Sequence, residues 1–118
     1  MLNVYSRARD GETLLSRSFR AKEFACKDGT DPLFVDSELV QVLQAIRDHF
    51  GAPVVITSGY RTPAHNAKAG GTRFSQHLYG RAADIRVRFG DDFVVEPCGN
   101  DDRFRVFDVI RDGLYTEK

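Results

Sequence analysis

Two cysteines, Cys26 and Cys98, are all that 118 residues contain. That is too few for a disulfide framework. They read as two free thiols, with a single bridge as the alternative, and they do not fix a compartment. A surplus of charge is also lacking: 17 Lys and Arg stand against 17 Asp and Glu. A nucleic-acid binder should show a basic excess, so that class of partner is not expected. No apolar run approaches the ~18 residues a membrane span needs. Met1 to Asp10 has no apolar core of the signal-peptide kind, so the chain as written reads as cytoplasmic. Internal repeats and low-complexity tracts are absent as well.

What is present fits one domain, since domains commonly run about 100–150 residues. Hydrophobic residues make up 42% and charged residues 29%, an ordinary soluble composition. Residues 1–18 are polar, with turn chemistry at Asp10-Gly11, and read as an N-terminal arm or short hairpin ahead of a domain over 19–118. Lys27 to Pro32 is a loop by composition. The clearest helix follows: Asp36 or Ser37 can cap it, and Leu39, Leu43, Ile46 and Phe50 form one apolar stripe. Gly51 and Pro53 stop it. Pro53 to Thr57 is a β-branched run and predicts a buried strand. Ala64 to Lys68 can make one helical turn, and 72–81 reads as irregular. Ala82 to Phe89 alternates, with Ala83, Ile85, Val87 and Phe89 on one face and Asp84 on the other. Gly90 to Asp102 reads as an acidic loop. Phe104, Phe107 and Ile110 predict a second amphipathic helix over 103–112, ended by Gly113.

The chemistry concentrates in Ser75-Gln76-His77-Leu78-Tyr79-Gly80-Arg81-Ala82-Ala83-Asp84. An imidazole and a carboxylate stand seven residues apart, and a bend at Gly80 would let a loop His and a strand Asp converge. Both are good zinc ligands, although a lone His and Asp more often form a hydrogen-bonded surface pair. The strand over 53–57 empties into Ser58-Gly59-Tyr60-Arg61-Thr62-Pro63, a common setting for functional side chains.

This segment resembles the Ser-x-His-x-x-Gly-x-Ala-x-Asp signature of zinc D-Ala-D-Ala carboxypeptidases and related peptidoglycan peptidases. Ser75, His77, Gly80, Ala82 and Asp84 fill all five specified positions. The Ile56 to Asn66 stretch, with its Ser58-Gly59-Tyr60-Arg61 segment, and Gly70-Gly71 look like further parts of that pattern. So do the Glu23 to Cys26 region and the helix near 37–50. The resemblance covers about 19–88. It implies an α+β domain, a small, mainly antiparallel sheet with packed helices, of the DD-peptidase and hedgehog-like kind. It implies Zn2+ held by His77 and Asp84, with peptidoglycan stem peptides as substrate or partner. Arg61 would neutralise a peptide carboxylate or polarise the scissile carbonyl, which suits its fixed guanidinium. Tyr60 and Ser75 would shape the substrate site, and Ser58 and His65 would hold the loop. His49, at a helix end, reads as a favourable charge on the dipole. The implied substrate is extracytoplasmic, which the absent leader does not match.

The chain departs from that family after Phe89. A third metal ligand and a nearby proton acceptor should follow, yet no histidine lies beyond His77. Asp91, Asp92, Glu96, Cys98, Asp101, Asp102 and Asp108 are chemically able substitutes, though the bland reading of these acids is solvated surface. Completion by a neighbouring copy in a homo-oligomer, or by a missing C-terminal piece, is the other route. A domain that binds peptidoglycan peptide or zinc without cleaving is the competing function.

Overall fold

The computed structural model describes residues 1–71, 75–87, 91–97, 104–109 and 115–117; for Asp91, Arg105, 107–109 and Tyr115–Glu117 it describes the backbone alone. β1 (Leu2–Ser6) pairs antiparallel with β2 (Pro32–Asp36), Leu2 opposite Asp36, and a short helix α1 (Arg7–Asp10) leaves β1. The polar opening stretch is thus tied to the body of the protein by a strand ladder.

The long helix α2 (Ser37–Phe50) starts where β2 stops. Asp36 ends β2 and caps α2, its carboxylate accepting from the Glu38 N–H at 2.9 Å. Gly51 closes the helix in the left-handed conformation, φ +60°, which glycine adopts without steric cost. Leu39 and Leu43 are fully buried, while Ile46 packs at the core margin. Each such leucine contributes about 1.5–3 kcal/mol of burial. Phe50 stays 44% exposed, its ring 5.7 Å from that of Phe93.

Five antiparallel strands form the main sheet in chain order: β3 (Val54–Ser58), β4 (Ala83–Val87), β5 (Asp91–Pro97), β6 (Phe104–Val109) and β7 (Tyr115–Glu117). One face buries Val54, Ile56, Ala83, Ile85, Val87, Phe93 and Val95 together with Leu39 and Leu43 of α2. The opposite face carries Val55, Asp84, Arg86, Asp92, Val94 and Glu96, none fully buried. This is the α+β architecture that the sequence resemblance implies. Helix α3 (Pro63–Lys68) and two 3-10 turns, Ala21–Phe24 and Gln76–Tyr79, complete the described elements. Among the described residues, no helix is long and apolar enough to cross a membrane.

Two expectations are corrected. The segment read as an acidic loop contains β5, in which Phe93 and Val95 alternate inward between Asp92, Val94 and Glu96. The segment read as a second helix contains β6, which pairs with β5 along its length. Phe104 and Val106 pack against the core at a spacing of two, not three. Residues 72–74, Phe89, Cys98 to 103, Ile110 and Gly113 lie outside the described residues. Cys26 is a buried free thiol.

Candidate functional site

The site is built where β3 and β4 end side by side. Their pairing shifts register between Ile56 and Ser58, so Ser58 comes opposite Asp84. Such an irregularity re-aims side chains at a strand end. Thr57 stabilises the shift, its hydroxyl donating to the Asp84 carbonyl at 3.1 Å. The chain then passes through Gly59, where an added Cβ would lie 2.9 Å from the Phe24 Cα and carbonyl oxygen. Only glycine allows this close approach, and the Tyr60 N–H then donates to the Phe24 carbonyl at 2.9 Å.

The turn Gln76–Tyr79 delivers His77. Ser75 caps it, accepting from the His77 N–H at 3.2 Å. Gly80 ends it with φ +69°, packed so tightly on β2 that a Cβ would lie 2.3 Å from the Phe34 carbonyl oxygen. The Gly80 carbonyl accepts from the Asp36 N–H at 2.9 Å, and the Arg61 N–H donates to the His77 carbonyl at 3.0 Å. The turn is therefore pinned on both sides.

His77 is buried, with Nδ1 2.8 Å from the Gly59 carbonyl. A carbonyl can only accept, so Nδ1 carries the proton and a neutral ring presents a lone pair at Nε2. Nε2 lies 3.4 Å from Asp84 Oδ1. Two acceptor atoms this close, without the alignment of a direct hydrogen bond, leave room for a cation that both can reach. Two ligands of one tetrahedral zinc, each about 2.0–2.1 Å from it, lie about 3.3 Å apart. The pair thus fits two corners of a zinc site in donor type and in spacing. Among the described residues, no third His, Cys, Asp or Glu completes the group.

Arg61 lies beside this pair with its side chain 12% exposed. Its Nε donates to Ser58 Oγ at 3.0 Å, one terminal nitrogen to Asn66 Oδ1 at 3.2 Å, and the other to Asp84 Oδ2 at 3.1 Å. A guanidinium carries five N–H groups, so donors remain beyond these three bonds. The Tyr60 ring stacks edge-on against Phe34, centroids 5.2 Å apart. Burial, with Cys26 and Asp28 nearby, raises its phenol above the ordinary value. At the other end, Arg81 Nε comes 3.2 Å from Asp36 Oδ2. It is misaligned for a hydrogen bond, so that contact is an ion pair only.

His77, Asp84, Arg61, Ser75 and Ser58 converge as one cluster. His65 contributes its backbone N–H, which Thr62 Oγ1 accepts at 3.2 Å. Of the substitute ligands, Asp92 pairs with Arg86 at 2.8 Å. Glu96 occupies the same face of β5 as Val94, the residue opposite Asp84. Cys98, Asp101 and Asp102, and the side chains of Asp91 and Asp108, lie outside the described residues. Asn66, a buried amide bonded to Arg61, escaped the sequence reading. It ends the family-like stretch Ile56 to Asn66, on the helix that Thr62 and Pro63 start, but the resemblance assigns it no role there.

A family model described as Peptidase M15 matches residues 14–110. No curated protein and no solved structure matches the chain.

Proposed function

Because this chain belongs to the Peptidase M15 family, we propose that it is a zinc-dependent peptidase acting on peptidoglycan stem peptides, of the D-Ala-D-Ala carboxypeptidase or endopeptidase type. The observation that carries the reading is His77 Nε2 lying 3.4 Å from Asp84 Oδ1, with Nδ1 anchored on a backbone carbonyl. His77 Nε2 and Asp84 Oδ1 are the two ligands. When bound, zinc activates water and polarises the amide carbonyl. Arg61 offers its remaining N–H groups to a substrate carboxylate, or to the carbonyl oxygen as charge develops there. Tyr60 and Ser75 shape the site by holding the two loops, Tyr60 through its N–H on Phe24 and Ser75 as the cap of the His77 turn.

The set of two donors among the described residues favours a second reading, a domain that binds zinc or stem peptide without cleaving it. One experiment separates the two. Metal content is measured after purification, and hydrolysis of D-Ala-D-Ala and L-Ala-D-Glu peptides is followed with and without added zinc. Hydrolysis that disappears in His77→Ala supports the peptidase. Bound zinc without turnover supports the second reading, and no zinc uptake at saturating metal overturns the peptidase and the zinc-binding form of the second reading.

A further inference from the structure

Asp84 sits on a strand, but the strand fixes only its Cα and Cβ. The terminal carboxylate torsion of an aspartate is broad, and this side chain is 30% exposed. Something else must turn Oδ1 toward His77. The one described side chain gripping the other oxygen, Oδ2, is Arg61. Arg61 is itself long and flexible, so its plane also needs fixing.

Ser58 Oγ accepts from its Nε at 3.0 Å, and the second hold, on a terminal nitrogen, comes from α3. Asn66 is 4% exposed, and its Oδ1 accepts from Arg61 at 3.2 Å. The loop after α3 folds back over this contact, the Gly71 N–H donating to the Asn66 carbonyl at 2.9 Å. A Cβ at Gly71 would lie 2.0 Å from Asn66 Oδ1 and 3.0 Å from the Arg61 terminal nitrogen. The backbone therefore closes on the bond with no space for a side chain.

We propose that Asn66 is a positioning residue. Its amide oxygen, together with Ser58 Oγ on Nε, sets the plane of Arg61, and Arg61 in turn holds Asp84 Oδ2 so that Oδ1 stays beside His77 Nε2. The consequence for metal binding rests on the peptidase reading; the positioning itself does not. Gly71 is the space that the arrangement requires.

The test uses the full chain as wild type, Asn66→Leu, Asn66→Asp and Gly71→Ala. Nitrogen-15 NMR follows the cross-peak of the Arg61 terminal Nη1–H group that Asn66 accepts from, in metal-free protein and identified by its loss in Arg61→Lys, and calorimetry follows the titration of zinc. Wild type and Asn66→Asp, which keeps an acceptor oxygen, should show a dispersed, slowly exchanging Arg61 peak. In Asn66→Leu and Gly71→Ala that peak should merge with those of exposed arginines. Zinc binding should weaken about 10-fold or more, the usual cost of losing a group that orients a ligand, and should stay near wild type in Asn66→Asp. An unchanged Arg61 peak in a folded Asn66→Leu protein overturns the proposal. Equal loss of zinc affinity in Asn66→Asp and Asn66→Leu overturns it too. If Asn66→Leu does not fold, Gly71→Ala decides by the same peak. Absence of zinc binding in wild type sinks the peptidase reading, while the cross-peak still decides the role of Asn66.

Discussion

Strands β3 and β4 share a sheet with β5 to β7, yet the two parts are secured differently. Around β3 and β4, side chains and close backbone contacts fix almost every turn. Gly59 presses on Phe24, Gly80 on Phe34, Ser75 caps the His77 turn, and Arg61 ties three elements together. The described part of β5 to β7 is held by ladder register and by a few inward side chains, chiefly Phe93 and Val95. On the proposed function, the difference follows from what each part must do. Two ligands of one ion must be placed to within about half an ångström, which demands locked rotamers and supporting hydrogen bonds. Covering α2 demands only apolar side chains on the inner face.

The largest expected effect tests whether β5 is as integral to the core as α2. Phe93→Ala should cost about 3–5 kcal/mol in urea unfolding, comparable to the ~2–5 expected for Leu43→Ala. A cost below ~1 kcal/mol for Phe93→Ala would mean that β5 to β7 are only loosely attached. Next, Gly80→Ala places a side chain at φ +69° and against the Phe34 carbonyl. Strain and overpacking together should cost about 2–4 kcal/mol, and zinc uptake should fall with the displaced His77 turn. Retained zinc affinity in a folded Gly80→Ala protein would contradict the view that this contact places His77.

Smaller effects sharpen the contrast. Asp36→Ala removes the α2 cap and the Arg81 partner. It should cost about 0.5–2 kcal/mol, with helix content by circular dichroism as the check. The smallest effect concerns Asp28, whose carboxyl is held well below its usual range by hydrogen bonds from Thr30 and Thr62. A depressed folded value means that the stabilisation is complete above the unfolded value near 4 and fades as pH falls through the folded one. Asp28→Asn should therefore lower the melting temperature by a small, constant amount above pH ~5. The gap to wild type should close in stronger acid. A gap that widens on acidification would reverse the assigned sign.

Local pattern carried the reading of the chain as far as β4. The stripe Leu39, Leu43, Ile46 with Asp36 before it and Gly51 after it specifies α2 without reference to anything else. The alternation around Asp84 specifies β4 in the same way. Beyond β4 the same approach misjudged both segments. Phe93 and Val95 do alternate with polar neighbours, but Asp91, Asp92 and Glu96 outweighed them. Around 104–109, spacings of two and three are both available to Phe104, Val106 and Phe107, and short apolar runs of this kind are ambiguous. Pairing with β5 decides the matter, and that pairing is a non-local contact.

The site divides along the same line. His77, Asp84, Arg61 and Gly80 were legible because motif spacing is a property of the chain. The role of Asn66 was not, because a buried amide has meaning only through what packs against it.

The sequence by itself determined which side chains bring donors to the site, where the principal helix begins and ends, and which face of β4 turns inward. Those depend on neighbours within a few residues, so residue type and spacing suffice. Only the tertiary structure decided that His77 Nδ1 is anchored on Gly59, that Asp84 is gripped by Arg61 and Arg61 by Asn66, and that the last part of the chain extends the sheet. Each of these is a contact between groups distant in the chain or a pairing chosen among competing registers. Its free energy exists only once the chain has closed on itself.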